Sequence, residues 1–250
     1  MNNRIIFAAD TDTGLTRQNN EDSYVVLKGM EPGSYVVLLA DGMGGHQRGE
    51  LASSLAVRYA SDTLSREIRA TMTSDAIKET VSRVIEKANV KVYLQSLESE
   101  FNQGMGTTMT IGVFADDRLI IAHIGDCRVY RLRGDELISL THDHTLVQAL
   151  VDRGEMTPEE ARRHPRRNVV TRALGAAEHM MPDTSVHPVH RGDRYLFSTD
   201  GLHDYVSEAD IKHILKHERT PQAVTEQAIL LANSEAGVDN VTVICAFVQS

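Results

Sequence analysis

The sequence predicts an α+β fold in which two antiparallel sheets are stacked and flanked by helix pairs, giving a four-layer αββα sandwich. The apolar period alternates in blocks between two, which is typical of strands, and about 3.6, which is typical of helices. The blocks run in the order strands, helix pair, strands, irregular insertion, strands, helix pair and strand. Helices grouped apart from strands indicate α+β rather than βαβ winding. No linker or low-complexity tract divides the chain, so residues 1–250 are expected to form one domain.

Three strands and two helices are predicted in the first hundred residues. Short apolar runs separated by turn residues indicate strands over residues 4–10, 22–28 and 35–40. From Gly49 onward, leucine and alanine recur every four residues, which indicates a helix. A second helical face begins at Ile77, and Ser74 is the candidate N-cap because serine accepts hydrogen bonds from the free N–H groups of a helix start.

The rest of the chain returns to strands and then alternates. Apolar runs predict strands over residues 107–115, 119–124, 128–132, 136–140, 183–189, 194–198 and 241–248. Between about residues 141 and 182 the pattern is irregular, although a capping box at Thr157 marks one helix start. Ser207 resembles the cap of a further helix, and Val224, Ala228 and Leu231 indicate another.

The composition is that of a globular protein, and it excludes several classes. Hydrophobic residues make up 41% and charged residues 24%, which is ordinary, and no apolar run is long enough to span a bilayer. A net charge of −9 argues against nucleic-acid binding. The first residues have too short an apolar part for a signal peptide, and Cys127 and Cys245 lie in apolar runs typical of reduced core residues. We therefore expect a cytoplasmic protein that does not bind membranes.

Acidic residues recur in five segments, four of which lie beside glycine or asparagine at the end of a short apolar run. The five segments are Asn20-Glu21-Asp22, Asp41-Gly42, Gly125-Asp126, Asp200-Gly201 and Asp239-Asn240. Carboxylates that folding brings together form a cage that is unfavourable unless a hard divalent cation fills it. Oxygen ligands suit Mg²⁺ or Mn²⁺ rather than Zn²⁺ or copper. A single Asp-Gly pair is usually a turn, but five such segments in order predict a metal centre.

Phosphoryl transfer is the chemistry that such a centre would favour. Two cations that share a carboxylate would activate a water and clamp a phosphoryl group. An arginine would complement the phosphate charge, and Arg17 stands just upstream of Glu21, although a lone arginine is more often a surface residue. The glycines after Asp41 lack the Lys-Ser/Thr of a P-loop, so they are better explained by close approach of the Gly42 carbonyl to a metal.

Two other polar segments have both an ordinary and a functional interpretation. The triplet His142-Asp143-His144 suggests metal binding, but a loop in which Asp143 caps the next helix is the simpler interpretation. The basic segment 162–167 is either a solvated helix end, where cations are favoured, or a docking surface for an anionic substrate.

Taken together, these motifs resemble the metal-dependent Ser/Thr protein phosphatases of the protein phosphatase 2C type (PPM family), in their bacterial form, from the first strand to the last. The matching segments are Asp12 to Asp22 with Arg17, Asp41 to Glu50 with His46, Gly106-Thr107-Thr108, Gly125 to Arg128, Asn168 to Gly175, Thr199 to Asp204, and Asp239-Asn240. The resemblance implies an αββα sandwich with the metals between the sheets, in agreement with the block pattern. It also implies that the insertion at about 141–182 is a flap beside the active site.

The resemblance implies a core of two metal ions, Mn²⁺ or Mg²⁺. In it, Asp41 bridges the two metals. The carbonyl of Gly42 and, through water, Glu21 complete one site. Asp200 and Asp239 hold the other.

The resemblance assigns supporting roles to residues around this core. It implies that Asp22 supports the metal shell and that Arg17 holds the phosphate. Asp126, together with Asp200 and Asp204, would bind a third, weaker metal.

The general acid is the role that the resemblance transfers least directly. Met43 stands where the eukaryotic pattern has a histidine, so His46 is the candidate acid because it is the nearby histidine. Imidazole is suited to donating a proton near neutral pH.

The predicted activity is therefore metal-dependent hydrolysis of phosphoserine and phosphothreonine, by attack of a metal-bridging water and protonation of the leaving oxygen. The expected partners are phosphorylated proteins, including a cognate Ser/Thr kinase, and we expect a monomer. One alternative is a phosphopeptide-binding module without activity, which the filled acidic positions disfavour. The other is a hydrolase of small phosphate esters or nucleotides, which the sequence leaves open although no base-binding feature is recognisable.

Overall fold

Residues 4–28, 34–44 and 48–249 are described by the structure, a computed structural model. Their strands are β1 (Ile5–Asp12), β2 (Asp22–Lys28), β3 (Tyr35–Met43), β4 (Gly106–Thr107), β5 (Met109–Ala115), β6 (Arg118–Ile124), β7 (Arg128–Arg133), β8 (Glu136–Ser139), β9 (Asp183–Pro188), β10 (Arg194–Ser198) and β11 (Val241–Val248). Their helices are α1 (Arg48–Glu67), α2 (Ser74–Leu97), α3 (Leu146–Asp152), α4 (Pro158–Arg163), α5 (Asp200–His203), α6 (Glu208–His217) and α7 (Pro221–Glu235), with a 3₁₀ turn at Glu100–Asn102.

The strands form two antiparallel sheets. The first has the order β1-β11-β10-β7-β8, and the second has the order β2-β3-β5-β6-β9 with the short β4 beside β3. In the second sheet Asp22 lies directly opposite Asp41. In the first, β11 lies between β1 and β10, so the segment that follows β10 and the segment that precedes β11 lie side by side.

Three separate apolar layers hold the sandwich together. One lies between the sheets and includes Phe114, Tyr195 and Phe197, all fully buried. A second joins the β2–β9 sheet to α1 and α2, and a third joins the β1–β8 sheet to α5, α6 and α7. Strands that face a layer on both sides are mostly apolar, as in β11, whose eight residues are all buried and include one polar residue, Thr242. The predicted four-layer αββα sandwich is confirmed.

Helix starts differ from the sequence prediction where two capping residues compete. Thr73, and not Ser74, caps α2, because its side chain accepts a hydrogen bond from the N–H of Ala76 at 3.2 Å. Similarly, Thr145 rather than Asp143 caps α3. Asp143 instead lies 2.6 Å from Nη2 of Arg128, and a charge-assisted pair of this kind is stronger than a neutral capping bond.

The flap region, residues 141–182, contains α3 and α4 and is fastened to the core by isolated backbone contacts rather than by a sheet. Thr107 of β4 pairs with Leu174 of the flap region, whereas the pairing of Thr145 with Val170 lies within that region. Asn89 of α2, fully buried, donates to the carbonyls of Ala177 and Glu178 and accepts from the N–H of Gly175. Elsewhere, none of the helices in the described ranges combines the length and hydropathy needed to cross a bilayer.

Candidate metal centre

Acidic residues from both sheets converge on a cavity of about 260 Å³. Its acidic lining consists of Glu21, Asp41, Asp126, Asp200 and Asp239, and Arg17 and the backbone at Gly42 complete the walls. Asp22 lies behind this cavity and Asp204 borders the neighbouring one. Folding therefore brings together around one space most of the residues that the sequence singled out.

The backbone of Asp41, at the end of β3, is held on both sides by two threonines. Its N–H donates to Oγ1 of Thr108 at 2.8 Å. Its carbonyl accepts from the N–H of Thr108 and from Oγ1 of Thr107, both at 2.8 Å. Both threonines are buried, so these bonds are shielded from water and fix the direction of the Asp41 carboxylate.

Gly42 allows two backbone segments to meet beside Asp41. A Cβ atom there would lie 2.2 Å from the carbonyl oxygen of Gly49 and 2.5 Å from that of Glu21. The N–H of Gly42 donates to the same Glu21 carbonyl at 3.1 Å. Because only glycine fits this contact, it brings Glu21, Asp41 and the start of α1 close together.

The second acidic wall comes from the paired strands β10 and β11. Asp200 is the first residue of α5 and follows the one-residue gap, Thr199, after β10, and Asp239 lies just before β11. Asn240 anchors the loop that carries Arg17. Its side chain donates to the carbonyls of Thr13 and Asn19 and accepts from the N–H of Glu21, all at 2.9 Å.

Asp22 is hydrogen-bonded by threonines instead of opening onto the cavity. Its Oδ2 accepts from Oγ1 of Thr242 at 2.6 Å and from Oγ1 of Thr199 at 3.0 Å. Its Oδ1 is buried without a hydrogen-bond partner, as is Oε1 of Glu21. Buried acceptors without donors are costly, so these oxygens point to a group that the protein chain itself does not supply.

The raised pKa values of the clustered carboxyl groups indicate that this group carries a positive charge. Burial, followed by the charges of neighbouring aspartates, raises the pKa of Asp41 and of Asp200 well above the ordinary value. Burial also raises the pKa of Asp22 and of Asp126 to about 7. Asp41 and Asp200 are only partly exposed, and both line the cavity. A divalent cation would offset both the burial and the repulsion, and oxygen donors of this kind fit Mg²⁺ or Mn²⁺.

Arg17 contributes a cationic side chain to the cavity wall, and it is paired with one of the acids. Its Nη2 lies 2.9 Å from Oδ2 of Asp239, and half of its side chain is exposed. The guanidinium therefore lies at the cavity wall with donors still facing solvent.

Asp126 and Asp204 lie at the far side of the cavity. Asp126 is 5% exposed and follows Gly125, whose φ of +109° and close contact with Thr108 exclude a side chain. Asp204 is paired with Arg167 of the flap region at 3.4 Å. Burial raises the pKa of Asp204, and this effect outweighs the charges of Arg167 and Arg128, which lower the pKa.

His46 lies outside the described residues, so its candidate role as general acid stays a prediction.

His144 has a structural role that its interpretation as an ordinary loop residue did not predict. The backbone N–H of Gly125 donates to Nδ1 of the His144 ring at 3.0 Å, and the backbone N–H of His144 donates to the Gly125 carbonyl at 2.8 Å. Its Nε2 lies 3.1 Å from Oδ2 of Asp183. His144 thus fastens the flap region to the turn that carries Asp126, and only the His-Asp-His spacing drew attention to it.

Stacked sheets with acidic residues around a cleft are the arrangement that the sequence resemblance implies for a metal-dependent phosphatase. Comparison with known proteins identifies the family. Residues 15–233 match the model of the family described as protein phosphatase 2C. The chain belongs to this family, which confirms the resemblance predicted from the motifs.

Known relatives are similar over nearly the whole chain. The serine/threonine phosphatase stp of Listeria innocua is 40% identical over 235 residues, which cover 94% of this chain and 92% of the relative. A solved Streptococcus agalactiae serine/threonine phosphatase has a TM-score of 0.92 and 35% identity, covering 98% of this chain and 100% of the other. The catalytic domain of PstP, solved with two manganese ions, has a TM-score of 0.85 and 37% identity, covering 98% and 99%.

Proposed function

We propose that this chain hydrolyses phosphoserine and phosphothreonine in proteins by using two divalent cations, Mn²⁺ or Mg²⁺, held in the 260 Å³ cavity. The observation that carries the proposal is the convergence of acids from both sheets with buried acceptors left unpaired beside them. Membership of the protein phosphatase 2C family supports the same activity.

The proposed ligands of the two core ions are Asp41, Asp200, Asp239, the Gly42 carbonyl and, through water, Glu21. When bound, the cations would supply an activated water and neutralise the phosphate charge. The acids line one cavity, but in the described ranges no group of three Asp, Glu, His or Cys side chains is placed to hold a metal ion by itself. The remaining ligands would therefore be carbonyl and water oxygens, as proposed at Gly42.

Arg17 is proposed to orient the phosphate, since its guanidinium faces the cavity with donors to spare. Arg17→Ala should raise KM for small phosphate esters more than it lowers kcat, because it removes binding that ground and transition states share. Steady-state kinetics with p-nitrophenyl phosphate measures both. Unchanged KM and kcat would show that Arg17 serves only as a surface partner of Asp239.

A third, weaker cation is proposed near Asp126, Asp200 and Asp204, supported by the burial of Asp126 beside the main cavity. Asp126→Ala should keep two tightly bound ions but lose most of the turnover. Titration calorimetry with Mn²⁺ and kinetics on the same preparation separate the two effects. Loss of the tight pair in calorimetry would instead place Asp126 among the core ligands.

We further propose that residues 1–250 form one phosphatase domain, that the protein works as a monomer in the cytoplasm, and that its substrates include a cognate Ser/Thr kinase. The compartment is supported by Cys127 and Cys245, which are both free and buried. Free buried thiols are typical of reducing compartments.

The activity is tested directly with a phosphothreonine peptide and with a nucleotide as the competing substrate. We expect Mn²⁺-dependent phosphate release from the peptide, abolished by EDTA and restored by added Mn²⁺. Turnover confined to the nucleotide would overturn the protein-phosphatase assignment, and full turnover in EDTA would overturn the metal-dependent mechanism.

A further inference from the structure

A second cavity of about 370 Å³ adjoins the proposed catalytic cavity. Apart from Asp126 and Asp204, the candidate ligands of a third cation, its lining has no part in the chemistry described above. It lies between α3 and α4 of the flap region and the segment from α5 to the start of α6. Asp126 and Asn168 line both cavities, so the two spaces are neighbours across these residues. Its volume is in the range of ligand pockets, roughly 300–1,000 Å³.

The polar side chains of this second cavity are largely occupied with one another. Arg128 makes a bidentate pair with Asp143 and also donates to the hydroxyl of Tyr130. Arg167 is paired with Asp204. Because these charges are already balanced, they have little to offer an additional charged ligand.

Hydrogen-bond groups at the helix starts around the cavity are engaged as well. Thr145 caps α3 by accepting from the N–H of Gln148, and Ser207 caps α6 by accepting from the N–H of Asp210. His203 shares a hydrogen bond with Ser198 at 3.0 Å. Most of the lining's polar atoms are thus satisfied within the protein.

The apolar lining, in contrast, faces the empty space. It comprises Val147 and Val151 of α3, Pro158 and Ala161 of α4, and Val206. Val147, Ala161 and Val206 are each less than a tenth exposed, so they form a floor beneath the opening. A ligand that buries apolar area on this floor gains free energy without breaking the polar pairs.

We propose that the second cavity is a specificity site that receives an apolar side chain of the substrate protein, from a residue close in sequence to the phosphorylated one. The inference rests on the proposed function, because it places the phosphate in the catalytic cavity. An extended peptide anchored there would pass Asp126 and Asn168 to reach the apolar floor. The occupant is then a leucine-like side chain rather than a second phosphate.

The test compares phosphothreonine peptides that have alanine at every flanking position with peptides in which one flanking residue is leucine. We expect kcat/KM for the best leucine peptide to exceed that of the alanine peptide by about tenfold, the lower range for an apolar pocket. Ala161→Leu in α4 and Val151→Phe in α3 each add bulk to the lining of the cavity, and each should remove this advantage. Both variants should keep wild-type turnover of the alanine peptide and of p-nitrophenyl phosphate.

Arg162→Ala is the matched control, because Arg162 follows Ala161 in α4 and lines the same cavity with an exposed charge. It should keep the preference for leucine. A preference for acidic flanking residues that Arg162→Ala removes would overturn the proposal, as would equal losses on the alanine and leucine peptides in both filling variants. Turnover of phosphopeptides without any leucine preference would overturn this inference alone, whereas no turnover of any phosphopeptide would overturn the proposed function and this inference with it.

Discussion

Asp200→Asn should abolish turnover and leave the fold intact. The amide keeps the volume of the side chain but removes a charge that two cations need. The pKa of Asp200 is raised by burial and then by neighbouring aspartates, so its folded-state pKa exceeds its unfolded one. Such a group costs stability as pH rises from the unfolded pKa through the folded one. At neutral pH the metal-free variant should therefore unfold at the same temperature as the metal-free wild type, or at a higher one.

Thermal unfolding with EDTA and with Mn²⁺, beside phosphopeptide kinetics, measures both parts of this expectation. Mn²⁺ should raise the unfolding temperature of the wild type more than that of the variant, because a ligand that binds the folded state more tightly stabilises it more at the same concentration. Asp75→Asn is the control: Asp75 is exposed at the start of α2, far from the cavity. Substantial turnover by Asp200→Asn would remove Asp200 from the metal centre.

Gly42→Ala should damage both stability and activity. The added methyl would meet the carbonyl oxygens of Gly49 and Glu21 at distances that real Cβ atoms do not adopt. Neither neighbour can rotate away because both are backbone atoms. The structure must shift where Asp41 and Glu21 meet, and overpacking of this kind costs about 1–3 kcal/mol. Urea denaturation and metal titration measure the two effects.

Gly134→Ala separates backbone strain from steric crowding. Gly134 has a φ of +58° in the turn between β7 and β8, and an added methyl would meet no atom within 4 Å. This variant should lose about 1–2 kcal/mol through left-handed strain alone, with normal turnover. If Gly42→Ala behaved in the same way, the close backbone contact would have no role in shaping the centre.

Strands were predictable because their signal is local. The alternation of β2 and the apolar run of β11 end at polar or glycine-rich segments, and both strands have the predicted bounds, residues 22–28 and 241–248. The acidic segments were predictable for the same reason, since each stands next to such a run. That they share one cavity followed from the family resemblance and from the assumption that strand ends converge.

Features that depend on partners distant in the chain could not be predicted from local sequence patterns. Asp143 is a residue type that caps helices well, but its carboxylate pairs with Arg128, fifteen positions earlier, instead of capping α3. Asp200 was interpreted as a strand end, because the single helical turn of α5 is too short to show a period. The pairing of Arg167 with Asp204 and the contact of His144 with Gly125 join the flap region to the core, and no local pattern marks them.

The position of β11 has a consequence for the synthesis of the protein. This strand occupies an interior place in its sheet, with β1 bonded on one side and β10 on the other, and Ile5 pairs with Val248. Asp239 and Asn240, just before it, are likewise translated after the other ten strands. A nascent polypeptide that still lacks these residues has two open sheet edges and no anchor for the Arg17 loop. Phosphatase activity can therefore arise only after translation has passed β11, and slow closure of such long-range pairs delays it further.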